Sequence, residues 1–311
     1  LLKILVTGGA GFIASNVVDR FIASGHSVAV VDDLSTGFRH NLNPAARFYE
    51  IDIRSRQAVA EVMQKECPEV IDHHAAQMDV RRSTREPEFD AEVNILGSIN
   101  LITEAIAAGA RRFVYASTGG AVYGDPQYLP ADEKHPVVPI SQYGVSKHTV
   151  EHYLHLYSLH TGIKYVVLRY GNVYGPRQTP HGEAGVVAIF TGRLLEGKRC
   201  TIFGKGDKTR DYVFVDDVVR ANEIALERGD GGIYNIGTGV PTTDLQVFEA
   251  VRDAVGVASE PVFADERPGE VRHIHLDASK AKAELGWTPT VTFREGVRRA
   301  VEYYRSSLGK G

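Results

Sequence analysis

Tyr143 and Lys147, in the string SQYGVSKHTVEH, put a weak phenolic acid and a fixed cation four residues apart, where a helix makes them neighbours on one face. A free tyrosine titrates near pH ~10, and a cation within reach of its oxygen lowers that by roughly 1 to 3 units. The pair therefore reads as a proton acceptor, Tyr143, activated by Lys147. Any amphipathic helix could hold Y-x-x-x-K by accident, as a solvent-facing tyrosine beside a solvated lysine, so the elements around it decide.

At the other end of the chain, Lys3 to Thr7 reads as a short buried strand and TGGAGFIA, from Thr7 to Ala14, as a tight turn opening a helix. Gly8 permits the turn, Gly11 lets a pyrophosphate approach the backbone, and Ala14 takes the position where helix and strand pack closely. The helix start then offers unpaired N–H groups and the positive end of its dipole to phosphates. The next strand, SVAVVD from Ser27, ends in Asp32, eighteen residues beyond Ala14, placed to bind the ribose hydroxyls of the adenosine. A carboxylate there repels a 2′-phosphate and Asp33 adds to the repulsion, which selects NAD over NADP.

Strands and helical patterns alternate through the first half: VIDHH from Val70 to His74, a helical stretch from Pro87 to Ala108, FVYAS from Phe113, the helix carrying Tyr143, and YVVLRY ending at Tyr170. This order predicts an α/β fold, a Rossmann-like doubly wound parallel sheet, with ligands beyond the carboxyl ends of the strands. Thr7, Asp32, His74, Ser117 and Tyr170 fall at or near those ends. A Gly/Pro-rich stretch from Gly171 to Gly185 opens the less regular half. The expected division is residues 1–171 for NAD and a smaller C-terminal α/β lobe, 172–311, for substrate. RDYVFVDDVVRA and GGIYNIGTG, near 212–256, are pieces that could return to the first sheet.

The 311 residues can bury a large core, and a net charge of −4 without a long Lys/Arg run argues against nucleic acid or anionic membrane as partner. Cys67 and Cys200 stand far apart in no metal-like spacing, so neither a zinc site nor an oxidising compartment is indicated and a cytoplasmic location is expected. No apolar run approaches the ~18 residues that span a bilayer, and LLKILV reads as the first strand rather than a signal peptide. His148 and His152 share a zinc-like spacing, but HTVEH is not H-E-x-x-H and no third ligand is evident; they read as surface or interface residues.

TGGAGFIA, YASTGGAVYG, YGVSK and RYGNVYGP, in this order, resemble the extended short-chain dehydrogenase/reductase superfamily and, within it, the nucleotide-sugar epimerases; the likeness runs from Leu2 to about Tyr304. The resemblance implies cofactor contacts from Gly8, Gly11, Phe12, Ile13, Asp32, Asp33, Asp52, Ile53, Ala75, Ala76, Gln77, Ser117, Tyr143 and Lys147, with the backbone near Tyr170 and Val173 at the nicotinamide end. Its catalytic hydroxyl falls on Thr118, at the family distance before Tyr143, with Ser117 the lesser candidate. Substrate contacts fall on Thr118, Tyr143 and Asn172, on the backbone of Gly185, Val186 and Val187, on the phosphate arginines Arg210 and Arg267, and on Glu270 at the nucleotide ribose. Phe203 either stacks on uracil or is a core aromatic. Ile274 falls near the sugar C2 substituent.

The implied activity is 4-epimerisation of a UDP-hexose of the galactose/glucose kind: Tyr143 takes the proton of the 4-hydroxyl while a hydride passes to NAD, the 4-ketose turns about its diphosphate, and both return to the other face. N-acetylated and uronic sugars are open alternatives. A 4,6-dehydratase needs an acid and a base just after the catalytic threonine, where this chain has Gly119-Gly120-Ala121. No clear residue pair for a 3,5-epimerase is present, decarboxylation of a uronic acid is a further open alternative, and an inactive nucleotide-binding protein fits poorly with an intact Tyr143, Lys147 and Thr118. Surplus apolar positions (Ile95, Leu96, Ile99 and Ile102; Leu154, Leu156, Tyr157 and Leu159) imply a homodimer through a four-helix bundle, as in similar proteins.

Overall fold

The computed structural model describes residues 1–180, 185–266 and 271–308. Strand and helix alternate in the first half: β1 (Lys3–Thr7), α1 (Phe12–Ala23), β2 (Ser27–Asp32), β3 (Arg47–Glu50), α2 (Arg56–Glu66), β4 (Val70–His73), α3 (Val80–Arg85), α4 (Pro87–Ala91), α5 (Gly97–Ala107), β5 (Arg112–Thr118), α6 (Gln142–Thr161) and β6 (Lys164–Tyr170). There follow β7 (Asn172–Tyr174), α7 (Val186–Leu195), β8 (Thr201–Phe203), β9 (Thr209–Phe214), α8 (Val215–Ala225), β10 (Gly232–Ile236), β11 (Pro241–Thr243), α9 (Asp244–Val255), β12 (Val262–Ala264) and α10 (Phe293–Leu308).

Seven strands form one parallel sheet in the order β10-β6-β5-β4-β1-β2-β3. The order reverses between β1 and β4, which opens a crevice above their carboxyl ends, the usual ligand position of such sheets. Alternate strand residues feed opposite layers. Ile4, Val6, Val28 and Val30 meet α1 and α8 on one face, while Leu5, Ala29, Val31 and Ile71 meet α2, α5 and α6 on the other. Both faces being covered explains the near-continuous apolar strands. Each fully buried side chain of this kind contributes about 1.5–3 kcal/mol.

The two pieces near 212–256 part company. GGIYNI does return to the large sheet as β10, beside β6. RDYVFV does not: β9 pairs with β7 and β11 in a separate three-stranded sheet, while α8, which follows it directly, packs against α1. A second small sheet joins β8 and β12.

The helical stretch after Pro87 is not one regular helix, because Glu92–Leu96 winds as a π-helix between α4 and α5. Single π turns often mark functional sites, and this one carries Asn94 inward. Of the surplus apolar positions, Ile102 and Leu154 belong to the sheet's own core, whereas Leu96, Leu156 and Leu159 are exposed. No described helix is long and apolar enough to cross a membrane.

Candidate active site

The turn after β1 is shaped by what a side chain would strike. Gly8 has φ +71°, and a Cβ there would stand 2.8 Å from the backbone nitrogen of Ala75. Gly11 is the N-cap of α1, with no side-chain cap and no acidic residue in the first turn, so the helix start is left to an outside anion. Phe12 and Ile13 form that first turn. At the end of β2, buried Asp32 accepts hydrogen bonds from the N–H groups of Ala10 (3.0 Å) and Leu34 (2.8 Å). Burial pushes its carboxyl up, against the pull of those two N–H donors. These groups fit a dinucleotide: a bare helix start for the diphosphate and an oriented carboxylate for a ribose.

Other predicted cofactor residues have local partners. Asp33 turns to Ser35, accepting from its N–H and hydroxyl, and Asp52 is paired with Arg54. Ile53 is buried against Gly97. Ala75 donates its N–H to Thr7 Oγ1, Ala76 follows on the same loop, and Gln77 is tied to Asn94 by two backbone hydrogen bonds. The Tyr170 carbonyl accepts from Gly119 N–H and that of Val173 from Gln178 Nε2, while the Tyr170 ring lies below the crevice with its hydroxyl on Asn222.

Ser141 caps α6 by accepting from the Gly144 N–H, which fixes where the helix begins relative to Tyr143. Gly144 lets that end press on the loop after Thr118, where a Cβ would lie 2.6 Å from the Ala121 carbonyl oxygen. Thr118 ends β5, in register with Tyr170 of β6. The ideal Cβ position of Gly120 lies 3.9 Å from Thr118 Oγ1 and 3.6 Å from Asn172 Oδ1, so this turn separates the predicted catalytic hydroxyl from the predicted phosphate ligand by little more than a glycine.

The electrostatics depart from the expected activation. Burial pushes Tyr143 up, with the Asp90 charge adding to it. Burial also brings Lys147 down to about 7, although Glu151 and Asp90 favour its charge. Its ammonium lies over the Tyr115 ring, 4.3 Å from the centroid. Desolvation is the largest influence on both side chains, so spacing alone misjudges the balance.

In the second half, Asn172 begins β7, Gly185 is the N-cap of α7 and Val186 and Val187 its first turn. Phe203 is half-buried at the end of β8. Arg210 on β9 is held by the carbonyls of Thr209 and Arg272. Arg267 and Glu270 lie outside the described residues. Ile274 is buried with Val122, Tyr123 and Ala131 in a satellite core, and it is Leu276 whose side chain reaches Gly119. Among the described residues no His/Cys/Asp/Glu group could hold a metal, and His148 and His152 meet each other at 3.0 Å.

Glu151, Asp90 and Asp72 were not singled out from the sequence, whereas His74 was placed at a strand end. Glu151, one helical turn beyond Lys147, is buried and bound to Ser117, Arg169 and His148. Its spacing from Tyr143 and Lys147 was the available signal. Asp90, buried on α4, accepts from Ser83 Oγ and Asn94 Nδ2 and has no local sequence cue. Asp72 on β4 and His74 just after it approach to 2.9 Å without hydrogen-bond alignment, and the His74 ring stacks on Tyr170.

Residues 4–237 match the model of the NAD dependent epimerase/dehydratase family. The chain is 45% identical over 311 residues to the UDP-glucose 4-epimerase of Mycolicibacterium smegmatis, covering 98% of this chain and 99% of that one. It resembles the structure of a UDP-glucose 4-epimerase with UDP-glucose from Thermotoga maritima at 50% identity and a TM-score of 0.97, over 98% of this chain and 99% of that one. It also resembles the Thermus thermophilus UDP-glucose 4-epimerase in complex with NAD, at 44% identity and a TM-score of 0.93, with the same coverage of each chain. With a dinucleotide turn, an oriented Asp32 and the Tyr143/Lys147 helix above one crevice, the chain belongs to the NAD dependent epimerase/dehydratase family and is an NAD-dependent enzyme.

Proposed function

We propose that the protein interconverts UDP-galactose and UDP-glucose by inverting C4 of the sugar. The observation that carries this reading is the close approach of the Tyr143–Gly144 end of α6 to the turn Thr118–Ala121 over the dinucleotide crevice. NAD, when bound, contributes reversible hydride acceptance and a cationic ring that adds positive charge near Tyr143. Tyr143 then takes and returns the proton of the 4-hydroxyl, Lys147 stabilises the phenolate, and Thr118 donates a hydrogen bond to the oxygen on C4. Asn172, Arg210 and Arg267 hold the diphosphate, since guanidinium forks suit its oxygens, and Glu270 meets the nucleotide ribose. The sugar is left free to turn. Gly119 and Gly120 offer neither acid nor base for expelling a 6-hydroxyl, which disfavours dehydration.

In this reading residues 1–171, with β10 and α8, hold NAD, and the rest of 172–311 holds the nucleotide sugar. The enzyme works as a homodimer in the cytoplasm, with Leu96, Leu156 and Leu159 meeting their counterparts in a four-helix bundle. Leu159, 69% exposed, and Leu96, 55%, support an apolar partner for that face.

The test is proton NMR of UDP-galactose with purified protein and no added cofactor. Growth of UDP-glucose signals to a stable mixture is expected, and Tyr143→Phe should abolish it while retaining NAD. An inert wild-type protein would discard the galactose/glucose assignment, and turnover of UDP-N-acetylglucosamine or a UDP-uronic acid instead would reassign the sugar.

A further inference from the structure

Glu151 is a carboxylate buried in the helix layer, 3% exposed, yet it has a full set of partners on three elements. Its Oε1 accepts from Ser117 Oγ at 2.6 Å and from Arg169 Nε at 3.0 Å, and its Oε2 accepts from Arg169 Nη2 and lies 3.0 Å from His148 Nδ1. Ser117 and Arg169 sit opposite one another on β5 and β6. One side chain thus clamps two strand ends to α6, beside the residue that precedes Thr118 and one turn beyond Lys147.

Stability alone is a poor reason for the arrangement. A buried ion pair is often no better than well-packed apolar residues of the same volume. What an apolar pair could not supply is negative charge near the Lys147 ammonium. The groups that act on or lie against Lys147 are Glu151 from its own helix, Asp90 from α4, the Tyr115 ring from β5 and His73 from β4, while Tyr143 precedes it by one turn of α6. Burial keeps His73 and Tyr115 neutral, pushing the first well down and the second well up. Glu151, by contrast, is held ionised at about 2: burial opposes its charge, but the hydrogen bonds from His148, Arg169 and Ser117 and the Arg169 charge outweigh it. Glu151, from its own helix, and Asp90, from α4, both favour the charged form of Lys147.

We propose that Glu151 is a positioning residue of the active site: it ties the Ser117–Thr118 strand end to α6 and places a buried carboxylate one helical turn from Lys147. The inference rests on the roles proposed for Tyr143, Lys147 and Thr118, and its first readout is independent of any substrate. Holoenzyme labelled with lysine 13Cε is titrated from about pH 5 to about pH 11 by NMR, with Lys147 assigned by loss of its signal in Lys147→Met. The test variant is the double change E151Q/R169M, which removes the charge without leaving Arg169 unpaired. It should keep NAD, and its Lys147 midpoint should fall by at least about one pH unit, equivalent to tenfold less ammonium above the midpoint. Turnover of UDP-galactose should fall about tenfold or more at pH ~8 and recover towards pH ~6.

Ser117→Ala, which spares the Glu151–Arg169 pair, tests the tie separately. It should lower kcat several-fold with little change in KM, leaving the Lys147 midpoint in place. Equal Lys147 midpoints in wild type and double variant, or signals that stay charged across the range in both, overturn the electrostatic role. A wild-type kcat in Ser117→Ala overturns the tie. A wild-type enzyme inert towards UDP-galactose would defeat the proposed reaction and leave the NMR result standing.

Discussion

The Cα of Gly144 faces the carbonyl oxygen of Ala121 so closely that a Cβ would stand 2.6 Å from it. The start of α6 is thereby seated on the turn that follows Thr118, which brings the elements carrying Tyr143 and Thr118, the proposed proton acceptor and hydroxyl donor, together. Gly144→Ala must move either the helix or the turn. We expect at least about tenfold lower kcat, with a stability loss of about 1–3 kcal/mol typical of overpacking, and NAD retained. Steady-state kinetics beside a thermal melt measure both; an unchanged kcat would show that this seating does not matter.

Burial brings Lys147 down to about 7 against an ordinary 10.5. The folded value is the lower one, so between those pH values the unfolded chain binds the extra proton, and the stability contributed at this position rises with pH across that window. Lys147→Met removes the dependence. Its stability advantage over the wild-type apoprotein should therefore shrink between about pH 7 and about pH 9.5 in urea unfolding. A constant difference would contradict the depressed lysine.

Gly8 combines φ +71° with a Cβ position 2.8 Å from Ala75 N. Gly8→Ala pays the left-handed backbone cost of about 1–2 kcal/mol and also displaces the loop that faces the dinucleotide. NAD content of the purified protein should fall at least tenfold, read by absorbance after denaturation; full occupancy would remove this turn from the cofactor site.

Leu96 is exposed on the π-helical segment and has no packing role in the sheet core. Leu96→Glu should leave the monomer fold intact while converting a dimer to monomer in light scattering at micromolar concentration. A wild-type protein that is already monomeric under those conditions would sink the four-helix interface.

The large sheet and its crevice were legible in the chain because both follow from local patterns: short near-continuous apolar strands alternating with helical stretches, a glycine turn before a helix, and an acidic residue at the end of the next strand. Tyr143 and Lys147 were legible for the same reason, since a helix turns i and i+4 to one side. What sequence could not decide was long-range. β9 joins a small sheet while β10 returns to the large one, because strand pairing depends on partners far along the chain rather than on either strand's own composition. Nor could it show that Asp90 and Glu151 act on Lys147 from two helices, or that burial would dominate the titration of both Lys147 and Tyr143. Residue types and spacing named the chemistry, whereas burial and the meeting of distant elements set the charge with which it begins.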